Sequence, residues 1–91
     1  MDKELYIGVD VSKQTLDLAY YDGESIDWKK AHIKVSNNNA GFKKIGSWVA
    51  KVSKGVDIVL FCMEYTGLYT QNFRLWLEEK HYIYRMVEPR K

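Results

Sequence analysis

Residues 5–13 read Leu5-Tyr6-Ile7-Gly8-Val9-Asp10-Val11-Ser12-Lys13, and how this stretch folds decides the rest of the chain. Leu5, Ile7, Val9 and Val11 alternate with Tyr6, Gly8 and Asp10, the two-residue period of a β-strand. Branched aliphatic residues at every second position place that strand in a core. Asp10 is the anomaly, because an uncompensated buried charge is strongly unfavourable. It is therefore expected at the open end of the strand, in an ion pair, or on a metal ion.

Working outward, the first strand spans about Leu5 to Val11 and turns through Ser12-Lys13-Gln14. From Thr15 to Tyr21, Leu16, Leu18 and Tyr20 alternate with Asp17 and Ala19, which predicts an antiparallel partner. Asp22-Gly23 is a tight-turn signal. Ala31, Ile33 and Val35 alternate with Lys30, His32 and Lys34, and the charged outer positions suit an edge strand. On such a strand His32 faces solvent.

After Val35 the period changes. Ser36-Asn37-Asn38-Asn39 offers N-cap residues, and Phe42, Ile45, Trp48, Val49 and Val52 then share one helical face. That register makes Trp48 a core residue rather than a base-stacking one, and the helix should end near Lys54-Gly55. Val56 to Met63 is almost uniformly apolar, as in a central strand buried on both faces, and it too ends on an acid, Glu64. A second helix is expected from Thr66 or Gly67 to Lys80-His81, with Tyr69, Phe73, Trp76 and Leu77 on its apolar face. A last strand follows over Tyr82 to Val87, stopped by Glu88-Pro89.

The predicted order is three antiparallel strands, then helix, strand, helix, strand: an α/β fold with a mixed, ribonuclease H-like sheet. In that topology strand one lies parallel to strand four, with right-handed crossovers. Parallel neighbours bring their carboxyl ends together, so Asp10 and Glu64 would be adjacent. Two ionised carboxylates side by side repel unless a cation sits between them. Oxygen ligands without histidine or cysteine favour Mg2+ or Mn2+, which in phosphodiester chemistry activates a nucleophile and stabilises the leaving oxygen. The structural alternative is that Asp10 accepts bonds from the Ser12-Lys13 turn, or pairs with Lys13, while Glu64 caps the next helix.

Composition narrows the classes. Ninety-one residues, 46% hydrophobic and 29% charged, suit one soluble domain or a piece of a larger one. A single cysteine, Cys62, excludes a disulfide framework and a thiolate zinc site, and its apolar surroundings predict a buried, inert thiol. No signal peptide or membrane span is evident, so the expected compartment is a reducing cytoplasm. A net charge of +2 neither requires nor excludes a nucleic-acid partner, since local patches matter more than totals.

Four blocks carry a resemblance to a known family. Tyr6-Ile7-Gly8-Val9-Asp10-Val11-Ser12-Lys13, Asn38-Asn39-Ala40-Gly41-Phe42, Met63-Glu64-Tyr65-Thr66-Gly67 and Val87-Glu88-Pro89 together resemble the amino-terminal, RuvC-like part of the DEDD-type insertion-sequence transposases. The resemblance covers almost the whole chain. It implies a metal-dependent transposase or recombinase acting on DNA, in some members directed by a structured guide RNA. Asp10 matches the family's first acid and Glu64 its second, as catalytic metal ligands. The other two acids have no counterpart, because Glu78 and Glu79 fall mid-helix and Glu88 precedes a proline.

Residues 1–91 thus read as one partial catalytic domain, incomplete at its carboxyl end and inactive alone. The serine-bearing domain of the family is missing too. The parent protein would be a homo-oligomer, and an apolar face left open here could promote dimerisation. Lys13 could touch a scissile phosphate or remain a solvated turn lysine. Lys43 and Lys44, with Lys29, Lys30, Lys34, Lys51 and Lys54, offer a nucleic-acid surface that phosphate contacts could use.

Two rivals stand beside this. Ile7-Gly8-Val9-Asp10 and its hairpin also resemble the start of actin-like and sugar-kinase ATPases, although Ser12-Lys13-Gln14 is bulkier than their phosphate-binding turns. The other rival is a non-catalytic interaction module whose acids are structural.

Overall fold

The computed structural model describes residues 4–21, 31–64 and 68–87. Five strands, β1 (Glu4–Val11), β2 (Thr15–Tyr21), β3 (His32–Ser36), β4 (Ile58–Glu64) and β5 (Ile83–Val87), form one sheet in the order β3-β2-β1-β4-β5. β1 pairs antiparallel with β2, and β2 with β3. β1–β4 and β4–β5 are parallel. Helix α1 (Asn39–Val52) connects β3 to β4. A 3-10 turn (Leu68–Thr70) and helix α2 (Gln71–Glu79) lie between β4 and β5. The described residues form an α/β architecture with a mixed five-stranded sheet and two helices, and no helix among them is long and apolar enough to cross a membrane.

Alternation divides the sheet into two unlike faces. Leu5, Ile7 and Val9 of β1, Leu16 and Leu18 of β2, and Phe61 and Met63 of β4 are buried in one cluster with Phe42, Ile45 and Val49 of α1 and Phe73 and Leu77 of α2. Both helices therefore cover the same face. Aromatic rings join the layers: Phe61 lies 6.2 Å from Phe73 and 5.3 Å from Tyr82, and Phe42 lies 5.7 Å from Phe73. Offset and tilted pairs at these separations add to the hydrophobic contribution of burial.

The opposite face is open among the described residues. β4 is central, but Ile58 is 37% exposed and Cys62 only half-buried. By the described residues strand β4 is thus covered on one face and not on both, because α1 and α2 pack on the same side. Cys62 belongs to the open face beside Gly8 and Arg85, so its thiol is less enclosed than its apolar neighbours in sequence suggest.

Helix ends follow local chemistry. The Asn38 side chain accepts a hydrogen bond from the Gly41 N–H at 3.0 Å, capping α1. α1 stops at Val52, slightly before the expected Lys54-Gly55, and Gly55 adopts a positive φ of 74° in the following turn. Trp48 is half-buried and meets Tyr20, with centroids 6.0 Å apart. Tyr69, expected on the apolar face, is instead 45% exposed, because it sits in the 3-10 turn before α2 and not on the helix. The Asp22-Gly23 turn, Lys29, Lys30, Thr66, Gly67 and Glu88-Pro89 lie outside the described residues.

α2 ends in a Schellman arrangement. The N–H of Tyr82 donates to the Leu77 carbonyl at 2.9 Å and that of His81 to the Glu78 carbonyl at 3.1 Å, with His81 at a φ of +62°. Glycine is the usual occupant of this left-handed position, because a Cβ is unfavourable there. His81→Gly is expected to raise stability by about 0.5–1 kcal/mol, read as a higher denaturant midpoint at unchanged slope. A lower midpoint would show that the histidine ring makes contacts worth more than the backbone strain.

Candidate metal centre

Asp10 and Glu64 are the last open-face residues of β1 and β4. The parallel register runs through Val9 opposite Met63, and both of those side chains are buried on the helix-covered face. One residue further along, Asp10 and Glu64 both point to the other face, on strands about 4.8 Å apart. Both are exposed. Glycine and alanine at Gly8 and Ala19, directly across from one another in the β1–β2 ladder, keep the floor beneath the acids low. A shallow depression of about 710 Å³ results, lined by Gly8, Asp10, Asp17, His32, Cys62 and Glu64 among others. In open α/β sheets, ligands collect at the carboxyl ends of the strands, and this depression lies there.

Asp17 extends the row. It stands opposite Asp10 in the antiparallel β1–β2 register, and its Oδ1 lies 3.1 Å from His32 Nε2. His32 is on edge strand β3 and exposed, as its position in the sequence implies, but it is not solitary. The pair is well solvated, at 47% and 34% side-chain exposure, so it contributes little stability. Asp17 is therefore partnered, while among the described residues no hydrogen bond or ion pair ties Asp10 or Glu64 to the turn or to Lys13.

Two carboxylates alone do not make a closed cage. Among the described residues no group of three or more histidine, cysteine, aspartate or glutamate side chains could hold a metal ion. Yet Mg2+ commonly binds through one or two carboxylates and completes its octahedron with waters and substrate phosphates. The donor set at Asp10 and Glu64 fits that manner of binding. Glu78 is not a candidate, since its Oε1 accepts from the Tyr84 hydroxyl at 2.7 Å on the helix-bearing side.

The turn after β1 is closed on itself. The Ser12 N–H donates to the Thr15 carbonyl at 2.9 Å, and the Thr15 N–H donates to Ser12 Oγ at 3.1 Å. Lys13 is exposed within it. At the far end of the open face, Tyr6 donates its hydroxyl to Glu4; that hydrogen bond, and then the neighbouring charge, hold the Tyr6 phenol above its usual range.

Lys43 and Lys44 are not part of this centre. Both are exposed on α1, which packs on the opposite face of the sheet. There Lys43, Lys44 and Lys51 surround a second depression of about 360 Å³ with Ser47, Trp48 and Ile33. The structure thus brings Asp10, Glu64 and Asp17 to one face and the α1 lysines to the other.

One residue escaped sequence reading. Asn37, read only as one of several N-cap residues, donates from Nδ2 to the carbonyls of Ser12 at 2.9 Å and Tyr69 at 3.0 Å. The run of three asparagines was the only signal.

No protein-family model matches the chain, and no curated protein is significantly similar to it.

Proposed function

We propose that this chain carries half of the acidic metal site of a ribonuclease H-like nuclease domain, of the kind found in DEDD-type insertion-sequence transposases. The observation that carries this reading is the parallel β1–β4 pairing, which sets Asp10 and Glu64 side by side at the carboxyl ends of adjacent central strands. The sheet order, with three antiparallel strands followed by two parallel ones, supports the same fold. Asp10 and Glu64 would hold Mg2+ or Mn2+, with further acids needed to complete the ligand set. An ion held there would supply an activated nucleophile and charge stabilisation at a DNA phosphodiester. Lys13, exposed in the turn beyond Asp10, would meet a phosphate of that DNA.

The lysine face of α1 is a separate element of the proposal. No aspartate or glutamate occurs between Asp27 and Asp57, whereas seven lysines do. A backbone held by Lys43, Lys44 and Lys51 lies across the sheet from the acids, so it belongs to another segment of DNA, or to a guide RNA. Such contacts weaken steeply with salt. A homo-oligomer and a reducing cytoplasm complete the reading.

The self-closed Ser12–Thr15 turn gives the ATPase alternative little support, because two of its backbone amides are already engaged within the turn and not free to cradle phosphate.

The test is a Mn2+ titration followed through backbone amide resonances. Saturable paramagnetic broadening is expected first at residues 8–11 and 62–64, and Mg2+ should compete it away. Broadening that is absent there, or unchanged by Asp10→Asn, refutes the metal site. Resonance shifts confined to the Ser12–Gln14 turn on adding a nucleotide without metal would favour the ATPase.

A further inference from the structure

We infer that Asn37 is a positioning residue for the Asp10–Glu64 pair, an inference that rests on the metal-site reading above. Its side-chain amide has two N–H donors, and each is spent on a different loop. One meets the Ser12 carbonyl at 2.9 Å, two residues beyond Asp10; the other meets the Tyr69 carbonyl at 3.0 Å, five residues beyond Glu64. Both partners are carbonyl oxygens, which only accept, so the amide orientation follows from its surroundings.

The main chain of Asn37 is anchored as well. Its N–H donates to the Gln14 carbonyl at 2.8 Å, one step past the Thr15–Ser36 pair of the β2–β3 ladder. Its neighbour Asn38 caps α1. Asn37 therefore stands on a rigid junction between sheet and helix and reaches, half-buried, to the two segments that leave the acid-bearing strands. Strand pairing sets the height of Asp10 against Glu64, and the Asn37 bridge holds together the chain that continues from each. Supporting groups of this kind tune metal sites without touching the metal.

Residue chemistry makes the inference sharp. Asn37→Asp is nearly isosteric but puts an acceptor against two carbonyl oxygens. Asn37→Ala removes both bonds without repulsion, and Asn37→Ser can retain one donor. The ordering expected for disruption is Asp, then Ala, then Ser.

Two measurements on the whole chain test it. Amide hydrogen exchange should rise by on the order of 10-fold at residues 12–15 and 68–71 together in Asn37→Ala, while β1 and β4 stay protected. Mn2+ affinity, read by the broadening at residues 8–11 and 62–64, should fall by on the order of 10-fold. Faster exchange in only one loop, or in neither, overturns the bridge. Faster exchange in both loops with undiminished Mn2+ affinity overturns the positioning role while leaving the metal site standing. Absence of Mn2+ binding in the unaltered chain refutes the metal site and the positioning role with it, and the exchange measurement still reports on the hydrogen bonds. If Asn37→Asp does not fold, Asn37→Ser and Asn37→Ala decide the matter.

Discussion

Gly41→Ala is expected to lower stability by about 3 kcal/mol, a fall of roughly 15 °C in Tm for a domain of this size. A Cβ added at Gly41 would lie 1.7 Å from the Ser36 carbonyl oxygen and 2.7 Å from its carbon. Both atoms are backbone, so no rotamer change can relieve the clash. Gly41 is in the first turn of α1, and its N–H is held by the Asn38 cap at 3.0 Å. The helix therefore cannot back away without breaking its own start. Helix propensity predicts the opposite sign, since alanine is favoured over glycine by about 1 kcal/mol within a helix.

Gly46→Ala supplies the internal control. Its added Cβ would meet a Trp76 ring carbon at 3.6 Å, an ordinary contact, so propensity should act unopposed and stability rise by about 0.5–1 kcal/mol. Thermal melts of the two variants should move in opposite directions. A Gly41→Ala chain that melts at or above the unaltered one would rule out the close approach of β3 and α1.

On the proposed metal site, Asp10→Asn and Glu64→Gln should each reduce Mn2+ affinity by on the order of 100-fold, since each would remove one of its two charged ligands. Without metal their effect on stability has a different sign from that of most substitutions. Two exposed carboxylates on neighbouring strands repel, and removing one charge should leave Tm unchanged or raise it by no more than about 5 °C. Calorimetry with and without Mn2+ separates the two effects. A large drop in Tm without metal would mean that the acids have structural partners, which is the outcome expected of a non-catalytic module.

Much of the fold is legible because its signals are local. Leu5, Ile7 and Val9 announce a strand by alternation, and Phe42, Ile45 and Val49 announce a helix by their spacing; all six are buried where those periods put them. The adjacency of Asp10 and Glu64 was also within reach, since handedness and parallel pairing leave few ways to join these elements. The exposed Tyr69 shows where periodicity misleads. It shares the apolar register of α2, but the chain there is a 3-10 turn and its ring has no helix to lie on.

The elements, their order and the position of an acid at the end of two central strands are written in the chain's local patterns, because hydrophobic period and capping are properties of neighbouring residues. The packing of distant elements set both described helices on the same side of the sheet, so that among the described residues β4 is half covered and the acids lie on an open face. That packing alone separated the α1 lysines from those acids, closed β3 onto Gly41, and gave the Asn37 amide two loops to hold. Each of these depends on which distant backbone atoms come within a few ångströms of one another, and no local pattern encodes that.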